Sequence, residues 1–133
     1  SHAAACRHAL NLDDVIDLAM EIKLDGLVAA NTTISRDHLA TPQRQIDEIG
    51  AGGLSGKPLM QGSSRITNYI YKRTNGQLPI ISSGGIFTAS DVREKLDLGA
   101  SLVQVWTGFI YEGPGIVKRI LKNQNVKISV LKK

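Results

Sequence analysis

A single cysteine, Cys6, is all the sequence holds, so neither an internal disulfide nor a cysteine-built zinc site can form, as suits a reducing compartment. Aromatic residues make up only 5% of the chain, too few for the interleaved stacking platforms that single-stranded nucleic acid requires. No apolar run approaches the roughly 18 residues of a membrane-spanning helix. The first residues also lack a basic segment followed by an apolar one. A soluble piece is therefore expected. Chemistry-bearing clusters are scarce too: no carboxylate pair, metal-ligand spacing or activated nucleophile is evident, and His2, His8 and His38 fall in the leader or a loop, without a triad-like setting.

What is present is the balance of an ordinary globular domain, 133 residues that are 42% hydrophobic and 21% charged. The net charge of +4 gathers at the end, where Lys118, Arg119, Lys122, Lys127, Lys132 and Lys133 all follow the last acid, Glu112. Three of these decorate a helix and two terminate the chain, so a solvated face explains them and no nucleic-acid partner is expected. Residues 1–10 have no periodicity and read as a leader or cloning remnant; 11–124 read as the folded unit and 125–133 as a basic tail.

Periodicity divides that unit into alternating elements. Asn11 can cap a helix with Leu12, Val15, Ile16, Ala19 and Met20 at helical spacing, ending near Lys23. The continuous apolar run Leu27 to Ala30 predicts a strand buried on both faces. About thirty mostly irregular residues follow, a length typical of functional loops. Ser63 or Ser64 starts a second helix with Ile66, Tyr69 and Ile70 inward and Asn75-Gly76 as its stop. Pro79 to Ser82 predict the second strand. Thr88, with Asp91 three residues on, opens a capping-box helix that ends at Gly99. Ser101 to Trp106 predict the third strand, and Pro114 begins a last helix striped by Ile116, Val117, Ile120 and Leu121. Strands alternating with helices imply an α/β sheet of parallel strands joined by right-handed crossovers. Three strands cannot close a barrel, so the chain reads as part of something larger.

Ligands in such folds sit beyond the C-terminal ends of the strands. There the sequence has Asn31, Thr32 and Thr33, then Ser83, Gly84, Gly85 and Ile86, then Thr107 and Gly108. Gly84-Gly85 before a capped helix offers bare backbone N–H groups and a helix N-terminus to a phosphate. Alone it is a tight turn; paired with Thr107-Gly108 on the next strand it points to a joint phosphate site. Gly52 to Gly56 could add a third donor set. A Walker loop at Gly56-Lys57 is excluded, because Ala51 and Pro58 occupy positions that need glycine and a hydroxyl residue. The sequon Asn31-Thr32-Thr33 lies at a strand end with no secretion signal and reads as chance. Asn31 reads instead as a buried amide facing a planar polar ligand, with the Thr32 hydroxyl beside it; a turn amide bonding its own backbone is the alternative.

Four ordered segments go further: DGLVAANTTISR at 25–36, GGLSGKPL at 52–59, LPIISSGGI at 78–86 and GASLVQVWTGFIYEGPGIVKRI at 99–120. Together they resemble the quinone-dependent (class 2) dihydroorotate dehydrogenases, from about Leu12 to Leu121. The resemblance implies the C-terminal portion of a (β/α)8 TIM barrel, with about three parallel strands and flanking helices. It implies FMN as cofactor, dihydroorotate and orotate as substrate and product, quinone as electron acceptor and a role in pyrimidine biosynthesis. By position, Asn31 and Thr32 match substrate contacts. Gly56, Gly84, Gly85, Trp106, Thr107 and Gly108 match the FMN site, and Ala30 takes a flavin-facing position where the family often has threonine. Trp106 stands for the more usual tyrosine and Thr107 for serine, changes that spare backbone donors.

In these enzymes a base removes the C5 proton while hydride passes from C6 to the flavin. The family's serine base, its flavin-contacting lysine and its earlier substrate asparagines match nothing in this chain. The implied partner is thus the N-terminal half of the barrel, and the chain by itself is expected to be inactive. The family's peripheral attachment to the cytoplasmic side of the membrane resides in a region outside the match. Two other readings are another phosphate-binding (β/α) barrel enzyme, flavin-dependent or not, and a non-catalytic anion-binding or interaction module.

Overall fold

The computed structural model describes residues 11–36 and 39–123. The expected leader at 1–10, the tail at 125–133 and His2, His8 and His38 lie outside the described residues. Helix α1 spans Leu12–Glu21. The Asn11 backbone N–H donates to the Asp14 carboxylate at 3.2 Å, and Lys23, at φ 54°, turns the chain out of the helix. Strand β1 (Leu27–Ala29) leads to the long connection, which is less irregular than its composition predicts. It contains α2 (Gln43–Ile49), with no buried residue, and a 3-10 turn at Lys57–Leu59. Helix α3 (Met60–Arg73), strand β2 (Ile80–Ser83), helix α4 (Ala89–Asp97) and strand β3 (Leu102–Gln104) follow. Helices α5 (Thr107–Glu112) and α6 (Gly115–Lys122) complete the described chain.

The strands pair in parallel in the order β1-β2-β3, with Val28 beside Ile81 and Ile81 beside Leu102. That register gives the sheet two different faces. Leu27, Ala29, Ile80, Ser82 and Val103 point to the helices. One core cluster joins Ile16, Ala19, Ala29, Ile70, Leu78 and Ile80 beneath α1 and α3. A second joins Ile86, Val92, Ile116 and Ile120 beneath α4 and α6. The opposite face carries Val28, Ile81 and Leu102, and no described residue covers it: Val28 is 58% and Leu102 61% exposed. The expectation that β1 is buried on both faces is therefore corrected. Its all-apolar sequence suits the packed interior of a closed barrel, while three strands alone cover only the helix side.

Other differences have equally local causes. Met20, placed on the apolar stripe of α1, is exposed, as are Val117 and Leu121 on α6. Helix α3 starts at Met60 rather than at Ser63 or Ser64, and Tyr69 is turned out while Ser63, Ser64 and Thr67 are buried. Burial of these hydroxyls is offset by hydrogen bonds: Thr67 Oγ1 lies 2.9 Å from the Ser63 carbonyl and 2.7 Å from Ser82 Oγ. The face of α3 that meets the sheet thus carries these hydroxyls as well as Ile66 and Ile70. Strand β3 is shorter than its apolar run, and Thr107 and Gly108, expected in a loop, form the first turn of α5. Among the described residues, no helix is long and apolar enough to cross a membrane.

Candidate functional site

The C-terminal ends of the three strands open onto one cavity of about 360 Å³, within the range of small-molecule sites. Its walls come from four separate segments: Val28, Ala30, Asn31 and Thr32 within or after β1; Ser55, Gly56 and Leu59 from the glycine loop and the 3-10 turn; Ser83 to Ile86 at the end of β2 and after it; and Gln104 at the end of β3 with Trp106 to Gly108 after it. All nine residues singled out from the sequence, Ala30, Asn31, Thr32, Gly56, Gly84, Gly85, Trp106, Thr107 and Gly108, lie on this one surface. Parallel pairing brings all but Gly56 together, because every strand ends at the same side of the sheet.

Backbone proximity explains the glycines. Gly85 has φ +77°, and a Cβ there would stand 2.6 Å from the Met60 nitrogen and Cα, so the turn after β2 is pressed against the start of α3. Gly84, at φ +109°, would bring its Cβ within 3.2 Å of Ser63 Oγ. Gly56 has φ +84°, and a Cβ there would stand 3.2 Å from the Thr107 methyl, which sets the glycine loop against the start of α5. These positive-φ turns leave bare main chain at the cavity wall, as close approach to an anion requires. The N-terminus of α4, expected to help, is not at the wall. Thr88 is absent from the lining, and the backbone N–H groups of Phe87 and Thr88 are taken by the Asp91 carboxylate at 2.9 and 2.8 Å.

Next to the lining residues Thr32 and Ser55, two loops are clasped together. Thr33 and Leu54 form an antiparallel bridge, with N–H···O distances of 3.1 and 2.7 Å. Arg36 donates to the Thr33 carbonyl at 3.2 Å and also to the Gly52 carbonyl. Gly53 packs so closely on Thr32 that a Cβ would fall 2.1 Å from its hydroxyl. Asn31, expected to be buried, is exposed, and its Oδ1 accepts from the Thr32 N–H at 2.8 Å. The self-bonding turn amide is thus what this side chain adopts, at the lip of the cavity.

Beneath the Gly84-Gly85 turn lies a residue that periodicity did not single out. Lys95 has no exposed surface, and its ammonium donates to the Met60 carbonyl at 3.1 Å, to Ser64 Oγ at 2.8 Å and to Ser63 Oγ. Burial lowers its pKa to about 8, with Glu94 and Asp91 pulling the other way. The available signal was its place three residues after Val92, on the inward face of α4. Val28, Ser55, Leu59 and Gln104 were also missed as lining residues; alternation along β1 and β3 puts Val28 on the uncovered face and Gln104 on the same side as Leu102. Among the described residues, no cluster of three His, Cys, Asp or Glu side chains could hold a metal ion.

Comparison with known proteins agrees with this geometry. Residues 8–127 match the family model described as dihydroorotate dehydrogenase. A dihydroorotate dehydrogenase (quinone) of Kineococcus radiotolerans is 52% identical over 111 residues, covering 84% of this chain and 30% of that protein. One from Synechococcus sp. (strain JA-3-3Ab) is 51% identical over 116 residues, with the same coverages. The crystal structure of ligand-free dihydroorotate dehydrogenase from Eimeria tenella superposes with a TM-score of 0.75 at 41% identity, over 84% of this chain and 30% of that one. Its complex with ferulenol gives 0.74 at 42% identity, over 84% and 29%. The chain thus spans about 30% of the length of these relatives. Its three parallel strands and flanking helices are part of a (β/α) barrel, and the chain belongs to the dihydroorotate dehydrogenase family.

Proposed function

We propose that this chain forms the C-terminal part of an FMN-dependent enzyme that oxidises dihydroorotate to orotate and passes the electrons to quinone, in pyrimidine biosynthesis. Residues 11–124 would be the barrel portion. The observation that carries the reading is the convergence of four separate segments on one cavity with positive-φ glycines along its wall. Gly56, Gly84, Gly85, Trp106, Thr107 and Gly108 would hold the FMN phosphate end through main-chain groups, and Ala30 would face the flavin. Asn31 and Thr32 would meet the pyrimidine edge through amide and hydroxyl groups. The fit is chemical as well as steric: among the described residues no carboxylate lines the cavity to repel a phosphate, and the glycines leave no Cβ in its way.

When bound, FMN supplies the hydride acceptor; this chain's task is to position and orient it. Among the described residues, the lining includes no His, Asp, Glu, Lys, Cys or Tyr, and no side chain that could serve as a base stands beside Ser55 or Ser83 within it. Turnover would therefore need residues supplied by the rest of the barrel. Attachment of the parent enzyme at the cytoplasmic face of the membrane, where quinone is available, belongs to the same reading.

The test is a titration of FMN with the purified chain, followed by quenching of flavin fluorescence, with riboflavin as the ligand that lacks the phosphate. Tighter binding of FMN is expected, together with no dihydroorotate oxidation above background. Equal binding of the two flavins would overturn the phosphate assignment, and turnover by the pure chain would overturn the division of labour.

A further inference from the structure

The Lys95 ammonium has no exposed surface and, among the described residues, no direct carboxylate partner, an arrangement whose desolvation cost calls for a reason. Its three hydrogens go to neutral oxygens: the Met60 carbonyl, Ser64 Oγ and Ser63 Oγ. Because Ser63 Oγ accepts from the ammonium, its own proton is directed to a carbonyl, and the Gly84 carbonyl stands 3.0 Å away, with that of Met60 at 3.2 Å. Fixing the Gly84 carbonyl fixes the whole Gly84–Gly85 peptide plane. In a trans peptide the N–H points opposite to the C=O, so a carbonyl drawn down to Ser63 turns the Gly85 N–H the other way, toward the cavity that Gly84 and Gly85 line.

We propose that Lys95 is the positioning residue of the phosphate end of this cavity: through Ser63 it orients the Gly84–Gly85 peptide, and its buried charge favours an anion on the other side of that turn. The inference rests on the reading of the cavity as a phosphate site and adds the group that gives the site its sign. Backbone glycines alone supply partial charges; a cation one hydroxyl removed supplies a full one at low local dielectric. Burial also protects it from the screening that weakens surface lysines.

The surroundings leave the ammonium as the group whose charge matters. On its own helix, Glu94 accepts from Ser64 at 2.7 Å and Asp91 caps the helix start. Of the neighbouring elements, α3 turns only Ser63, Ser64 and the Met60 carbonyl to it, while Arg65 is exposed and Arg73 pairs with Asp13 and Asp17. Helix α6 directs Arg119 to Glu112 and the Phe87 carbonyl, and β3 has no titratable side chain. The ammonium is charged below about pH 8 and neutral above it. A bound phosphate holds the proton on, which moves that loss somewhat higher.

The ratio of FMN to riboflavin affinity is the readout, because a change in general packing moves both ligands together. Lys95→Met, close in shape and uncharged, is expected to lower FMN affinity roughly tenfold while riboflavin affinity stays within about twofold. Ser63→Ala, which leaves the ammonium in place, is expected to give a smaller loss of the same sign. In the unchanged chain the ratio should fall between pH 7 and pH 10. The ring is common to both ligands, so its own titration cancels. If Lys95→Met does not fold, the unchanged chain decides through its pH profile. A ratio unmoved by Lys95→Met, or flat to pH 10 in the unchanged chain, would overturn the inference and leave the phosphate site standing. A chain with no preference for FMN at neutral pH would overturn both.

Discussion

An alanine at position 85 would meet the Met60 main chain at 2.6 Å in a left-handed conformation that side chains rarely adopt. Neither conflict can be relieved by a rotamer change, because the obstacle is backbone. Gly85→Ala is expected to cost about 2–4 kcal/mol of stability, from backbone strain plus overpacking, and to weaken FMN binding more than riboflavin binding. Urea unfolding and the paired flavin titrations check the two halves separately. Single residues were legible in the sequence to the degree that residue type reports backbone. Gly56, Gly84 and Gly85 can be read because only glycine suits those turns. Lys95 could not be read, since what buries it is a set of oxygens on a helix about thirty residues earlier. The exposure of Asn31 was likewise hidden, because it depends on which walls stand around it.

At the scale of elements, α4 offers the cleanest test of local coding. Thr88 Oγ1 accepts the Asp91 N–H at 3.2 Å, and the Asp91 carboxylate in turn accepts the Thr88 N–H at 2.8 Å. Thr88→Ala should therefore lower stability by about 1 kcal/mol without changing flavin preference, since Thr88 is not a lining residue. An equal loss of flavin binding would mean that the cap also positions the site. The existence and order of α1, β1, α3, β2, α4, β3 and α6 followed from hydrophobic period and capping residues. Helix α2 was missed because it buries nothing, so no apolar stripe marks it. Helix α5 is too short for a period to show. The start of α3 and the outward turn of Tyr69 were misread for the opposite reason: beside Ile66 and Ile70, its buried side carries the hydroxyls of Ser63, Ser64 and Thr67, which a hydrophobic pattern passes over.

For the molecule as a whole, the sheet face and the outer sides of β1 and β3, which no described strand or helix covers, dominate behaviour. Val28 and Leu102 lie on a broad apolar surface with strand edges at both sides, a template for pairing with other chains. The purified 133-residue chain should self-associate at roughly 50 µM, seen in sedimentation velocity as species larger than the monomer. A clean monomer at that concentration would contradict this account of the open face. This property was legible early, since three βα units cannot close a barrel. What the sequence left hidden was that the apolar run of β1 would meet helices on one side only.

The clasp at the cavity lip divides the long connection in a useful way. The Thr33–Leu54 bridge and Arg36 tie its two ends together, and between them α2 rests on the surface without a single buried side chain. Once the neck is tied, the length of the handle has little hold on the walls, because loop-closure entropy grows only with the logarithm of chain length. The stretch around α2 is thus a natural splice point, where a reporter domain or an affinity tag can be inserted and carried by the barrel while the pocket below keeps its shape.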